Sequence, residues 1–123
     1  MMYQKAMCMG DEETAKKVLM AGTPGEANKL GRQVKNYNSE LWRSKCDEVV
    51  EQGNWLKFSQ IEECRKALLD TEDKVLVESN PADSVWGIGF RGDNAMENEA
   101  HWGRNGLGKA LMKVRDRLRK ENL

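Results

Sequence analysis

A mainly α-helical fold of about six helices with one small β element is predicted by three features of this sequence. Apolar residues recur every three or four positions over most of the chain, most clearly at Leu107, Ala110, Leu111, Val114 and Leu118. Helix-start signals precede several of these stretches. The fullest is Thr23-Pro24-Gly25-Glu26, with threonine at the N-cap, proline at the first helical position and glutamate at the third. Only Lys74-Val75-Leu76-Val77-Glu78 has the apolar, β-branched make-up of a strand, closed by the turn pair Asn80-Pro81.

Taken in order, Met1–Met9 reads as a helix stopped by Gly10, with Met2, Ala6 and Met9 on one face and Lys5 at its edge. Asp11 caps a second helix, with Glu12 and Glu13 in its favourable first turn and Ala15, Val18 and Leu19 facing inward. The helix after Thr23 buries Ala27, Leu30 and Val34. Asn38 or Ser39 caps the next, which runs from about Glu40 to Gln52 and carries Trp42, Cys46, Val49 and Val50 at helical spacing. Gly53-Asn54 is expected to bend or interrupt it before Trp55-Leu56-Lys57-Phe58. A short helix follows on Ile61, Cys64 and Leu68. Arg91–Glu99 reads as an exposed loop, and the last helix covers about Gly106–Glu121. Leu30, Val49, Val50, Leu68, Leu107, Leu111, Val114 and Leu118 are expected to be buried.

The length of 123 residues suits a single domain over 1–123 with one modest core. Lysine plus arginine and aspartate plus glutamate are equal at 20 each, which argues against general nucleic-acid binding through phosphates. No apolar run approaches the roughly 20 residues of a membrane span, and no membrane partner is expected. Three cysteines without a close pair read as reduced thiols in a soluble, cytoplasmic protein. A single histidine and no CxxC make a zinc site improbable, and the common nucleotide-binding loops are absent, so no metal and no cofactor are expected.

The chemistry-bearing residues gather around Lys74–Gly89, where Glu78 and Asp83 flank a turn that leads into Trp86-Gly87-Ile88-Gly89. Two carboxylates, an aromatic ring and glycines that permit close approach suggest the wall of a small-molecule pocket. The alternative is a strand and turn with Trp86 in the core. Trp42, near the first turn of its helix, likewise either leans over a pocket mouth or packs inside. Arg104 and Lys109, beside glycine amides at a helix start, could receive a phosphate. Lys5 either carries its amine out to water or, if desolvated, becomes a nucleophile.

Together the strings MMYQKAM, TPGEANKLGRQV, ELWRSKCDEVV, NWLKFSQ, KVLVESNPADSVWGIG and WGRNGLGKALMKVR resemble the NADAR family, whose best-known branch is the YbiA-like proteins. Their order and spacing match across nearly the whole chain. The resemblance implies a mainly helical domain with a small β element and an N-glycosidase acting on ribosyl compounds. Its substrate would be a phosphorylated ribosyl or ADP-ribosyl compound, either an early riboflavin-pathway intermediate or ADP-ribosylated guanine, which extends the partners to ADP-ribosylated nucleic acid. Cleaving a C1′–N bond builds positive charge on the sugar, which nearby carboxylates stabilise. Glu78 and Asp83 match the family's acidic positions, and Lys5 matches a lysine implied to attack C1′ through a Schiff base. Trp42 and Trp86 match its tryptophans and would line one pocket with Gly87, while Arg104 and Asn105 would hold phosphate or ribose.

Two departures stand out. Family members carry an upstream segment rich in Phe, Asn and Pro that ends in a glutamate. The sequence here starts after that point, so the expectation is a domain truncated at its N-terminus relative to the family. At Gly106 the family has a bulky apolar residue. The alternatives to an enzyme are a degenerate domain that binds ADP-ribose or a nucleotide without turnover, and a helical interaction module whose tryptophans are all core.

Overall fold

A computed structural model describes residues 1–121, which divide into two compact units, Met1–Val49 and a second beginning at Val50. Six α-helices are described: α1 (Met2–Cys8), α2 (Glu12–Leu19), α3 (Pro24–Gly31), α4 (Ser39–Gln60), α5 (Glu62–Leu69) and α6 (Gly106–Glu121), with a 3₁₀ helix at Met96–His101. No helix among the described residues is long and apolar enough to cross a membrane.

In the first unit α1 packs against both α2 and α3. The chain turns at Gly10, whose φ of 75° is open to glycine at little steric cost. Asp11 then fixes the corner. Its carboxylate accepts from the Thr14 amide (3.1 Å), the Thr14 hydroxyl (2.7 Å) and the distant Lys35 amide (2.9 Å). Those bonds, the one from Lys35 foremost, hold the Asp11 carboxyl below the usual carboxylate range, at about 2. The start of α3 is as the sequence indicates: Thr23 Oγ1 accepts from the Glu26 amide, and Glu26 reaches back to the Gly22 amide. Asn38 is the cap of α4, its side-chain oxygen accepting from the Leu41 amide. Ala6, Met9, Ala15 and Val34 are buried. Leu19, expected to face inward, is exposed at the last position of α2.

The second unit is built on Leu68 of α5 and Val114 and Leu118 of α6, with Trp55, Phe58, Leu69, Leu76 and Leu111 packed around them. Of the residues expected inside, these three are buried, while Leu30, Val49, Val50, Leu107 and Leu111 are half-buried. The guanidinium of Arg117 stacks 3.7 Å from the centroid of Trp55, joining α6 to α4. Contrary to the sequence reading, α4 runs unbroken through Gly53. A glycine in a helix interior costs only about 1 kcal/mol, and half-buried Val50, Trp55 and Phe58 lie to either side of it. The segment read as an exposed loop closes with the 3₁₀ turn, where the Trp102 indole donates to the Ala95 carbonyl at 2.7 Å.

The small β element is not formed: the described residues contain no strand. The cause lies in where the backbone bonds of Lys74–Glu78 go. A ladder needs a second strand, but here side chains of α6 and the residue before it take that place. Arg115 donates to the Lys74 carbonyl at 2.8 Å, and the Asn105 amide bonds both the Leu76 carbonyl and the Glu78 N–H.

Candidate active site

Two chain segments of the second unit, 76–89 and 103–108, are knitted together by backbone bonds. The amides of Gly103, Arg104, Asn105, Gly106 and Leu107 donate in turn to the carbonyls of Ile88, Ser84, Gly87, Val85 and Trp86, at 2.7–3.0 Å. The start of α6 is therefore satisfied by a loop rather than left open. The Gly103 and Gly106 amides that the sequence offered to a phosphate are already partnered within the fold.

The loop is itself shaped by Asp83. Its Oδ1 accepts from the Val85 and Trp86 amides, both at 2.9 Å. Such a bond from an aspartate to the backbone two or three residues ahead fixes a turn. It commits one carboxylate oxygen to architecture. Trp86 follows, half-buried, with the Arg104 guanidinium 5.4 Å from its ring centroid. Gly106 explains how the ring fits. A Cβ there would stand 2.6 Å from Trp86 Cε3, so the missing side chain makes room for the indole against the helix.

Glu78 is half-buried and held at both backbone ends. Its N–H donates to Asn105 Oδ1 (3.1 Å), and its carbonyl accepts from Ile88 (2.9 Å) and Asn80 (3.0 Å). Its side chain runs along Gly87, where a Cβ would meet Glu78 Cγ at 3.3 Å and the carbonyls of Asp83 and Glu78 at 2.8 Å each. Among the described residues no hydrogen bond or ion pair is made by the Glu78 carboxylate. Asn105 is buried, 6% exposed, with a left-handed φ of 54°. Thus Glu78, Asp83, Trp86, Gly87, Arg104 and Asn105 belong to one neighbourhood of the second unit.

Lys5 and Trp42 belong to the first unit. Lys5 is half-buried on α1, with its amine 4.7 Å from the centroid of the Tyr37 ring. A cation over an aromatic face keeps favourable electrostatics without a carboxylate partner. Trp42, in the first turns of α4, is 8% exposed.

A family model described as the NADAR domain matches residues 1–119. The chain belongs to the NADAR family. An N-glycosidase of Acanthamoeba polyphaga mimivirus is 41% identical over 118 residues, covering 94% of this chain and 69% of that protein. Protein irg-1 of Caenorhabditis elegans is 38% identical over 121 residues, 95% of this chain and 57% of its own length. N-glycosidase YbiA of Escherichia coli is 30% identical over 116 residues, 94% of this chain and 67% of that protein. This NADAR chain thus spans about three fifths to two thirds of the curated relatives it matches.

Sequence reasoning singled out Asn105 as a NADAR site residue but missed what its side chain does here. It also missed Arg115, 5% exposed, which reaches from α6 to Thr71 and Lys74. Neither contact has a local pattern. The one available hint was the asparagine between Arg104 and Gly106, since asparagine tolerates the left-handed region better than most residues.

Proposed function

We propose that this chain is an N-glycosidase that hydrolyses the C1′–N bond of a phosphorylated ribosyl or ADP-ribosyl compound, whether a riboflavin-pathway intermediate or ADP-ribosylated guanine. The observation that carries the reading is the neighbourhood of Glu78, Asp83, Trp86 and Arg104 in a chain whose relatives bear N-glycosidase names. Each group suits a part of that reaction. As the bond to the base breaks, its electron pair leaves with the nitrogen and positive charge develops on the sugar. A half-buried carboxylate such as Glu78 stabilises that charge more strongly than a fully solvated one. Asp83 keeps one oxygen, Oδ2, for the same task while Oδ1 holds the turn. Trp86 offers a stacking face for a base or the edge of a sugar, and Arg104 serves the phosphate and ribose side.

Lys5 takes the role of nucleophile in this reading. Its amine lone pair forms a bond to C1′ as the base departs and is protonated. Ring opening gives an imine, and water then releases the sugar and restores the amine. No cofactor or metal enters these steps.

The test is direct. Purified protein is incubated with a ribosylaminopyrimidine phosphate and, separately, with an oligonucleotide carrying ADP-ribosylated guanine. Release of ribose phosphate or of ADP-ribose, slowed strongly but still measurable in Glu78→Gln, supports the proposal. Tight ADP-ribose binding with no turnover of either substrate identifies a binding domain and overturns it.

A further inference from the structure

We infer that Asn105 is a positioning residue that acts through Glu78: its side-chain amide stands in for a missing β-strand and fixes the direction of the Glu78 side chain. The inference rests on the reading of Glu78 as the carboxylate that faces the sugar.

A strand beside Lys74–Glu78 would accept from and donate to alternate residues of it. The Asn105 amide does the same with a single side chain. Nδ2 donates to the Leu76 carbonyl at 2.8 Å, and Oδ1 accepts from the Glu78 N–H at 3.1 Å. These two groups lie on the same edge of the segment, two residues apart, as in a ladder. Only asparagine and glutamine present a neutral donor and acceptor side by side on one planar amide, and glutamine is one methylene longer. Gly108 completes the clasp. A Cβ there would collide with the Leu76 carbonyl and with both polar atoms of the Asn105 amide, so the helix must be bare at that point for the amide to lie flat. The residue that makes the clasp also sits at a φ of 54°, with its own N–H donating to Gly87 at 3.0 Å. One residue therefore ties both strips that border the Glu78 side chain, the segment carrying Glu78 and the glycine along which it runs. Because Asn105 is buried, it acts from behind the site rather than on the substrate.

The experiment separates the clasp from the backbone conformation. Asn105→Gly keeps the left-handed φ at no steric cost and removes both bonds. Asn105→Asp keeps the acceptor for Glu78 but turns a second oxygen toward the Leu76 carbonyl. In Asn105→Gly, amide exchange measured by NMR is expected to speed up about tenfold or more at Glu78, with exchange in α6 beyond Val114 unchanged. Turnover is expected to fall about tenfold in kcat with KM within about twofold. Asn105→Asp should show the same fall in kcat with a smaller change in exchange at Glu78.

The decisive arm is Glu78→Gln. If Asn105 acts through Glu78, adding Asn105→Gly to Glu78→Gln lowers kcat no further, whereas independent effects would multiply. Unchanged exchange at Glu78 in Asn105→Gly, or multiplied losses in the double variant, overturns the inference. Wild-type protein without turnover would refute the glycosidase reading instead, and the exchange measurement would still decide the clasp.

Discussion

Replacing Gly87 by alanine should destabilise the second unit by about 2–3 kcal/mol. The added Cβ would lie 2.8 Å from the Asp83 carbonyl and 2.8 Å from the Glu78 carbonyl. Carbon and oxygen make comfortable contact at about 3.3–3.6 Å, so each oxygen must retreat by roughly half an ångström. Neither is the end of a flexible side chain. The Glu78 carbonyl already accepts from Ile88 at 2.9 Å and from Asn80 at 3.0 Å, and moving it strains both bonds. Overpacking of this kind costs about 1–3 kcal/mol, and two rigid contacts place Gly87→Ala in the upper part of that range. Gly53→Ala is the matched control. Nothing stands within 4 Å of a Cβ at Gly53, and the position is inside α4, so the change should stabilise by about 0.5–1 kcal/mol. In thermal unfolding followed by circular dichroism, Gly87→Ala should lower Tm by roughly 8–12 °C and Gly53→Ala raise it by roughly 2–4 °C. Since the displaced carbonyl belongs to Glu78, turnover of Gly87→Ala should also fall at temperatures where it remains folded. Shifts of the same sign in both variants, or a Gly87→Ala protein within about 0.5 kcal/mol of wild type, would refute the reasoning, because that spread is the ordinary scatter of surface substitutions.

Two further outcomes follow from the first unit. The folded-state value of about 2 for Asp11 lies below the ordinary value of an unfolded aspartate. Its contribution is therefore complete above about pH 4 and disappears as the pH falls toward 2. The stability difference between wild type and Asp11→Ala, followed by urea unfolding, should be flat from pH 7 to 5 and shrink below pH 4; a difference that grows on acidification contradicts the assignment. Lys5→Arg keeps the charge and the contact with Tyr37 but cannot form an imine. It should abolish turnover while leaving ligand binding in place, and borohydride added during turnover should link sugar to the wild type alone. Normal turnover in Lys5→Arg removes the lysine from the mechanism.

Much of the helical framework was legible because its signals are local. Thr23, Pro24 and Glu26 sit within one turn of the helix they start, and Asp11 reads as a cap from its neighbours Glu12 and Glu13. The span of α6 could be read from Leu107, Ala110, Val114 and Leu118, since one amphipathic period over four turns has few competing interpretations. Legibility failed where a residue's state depends on something distant. Leu19 has the spacing of a core residue, but it falls in the last turn of α2, where the helix ends before anything covers it. Gly53 has the chemistry of a break, but a helix supported on both sides carries one glycine through.

The failure at Lys74–Glu78 says most about the site. Its composition is that of a strand, and composition measures only how well side chains suit a pleated, half-buried surface. Whether a strand forms is decided by who supplies the hydrogen bonds. The supplier here is a side chain 27 residues from Glu78 and 29 from Leu76, together with an arginine 41 residues from Lys74. A second strand would have brought a continuous row of backbone and its own side chains against the edge that Glu78 occupies. A single asparagine satisfies the same two groups with far less bulk, and the glycine at 108 keeps the helix behind it narrow. The same economy is visible at Gly106, where a missing side chain admits the Trp86 ring, and at Gly87, where one admits the Glu78 stem. Each of these substitutions replaces bulk with a carboxylate, an aromatic face or an open backbone. The segment gave up regular secondary structure, and the Glu78 side chain is bordered by an asparagine clasp and a bare glycine instead of a second strand.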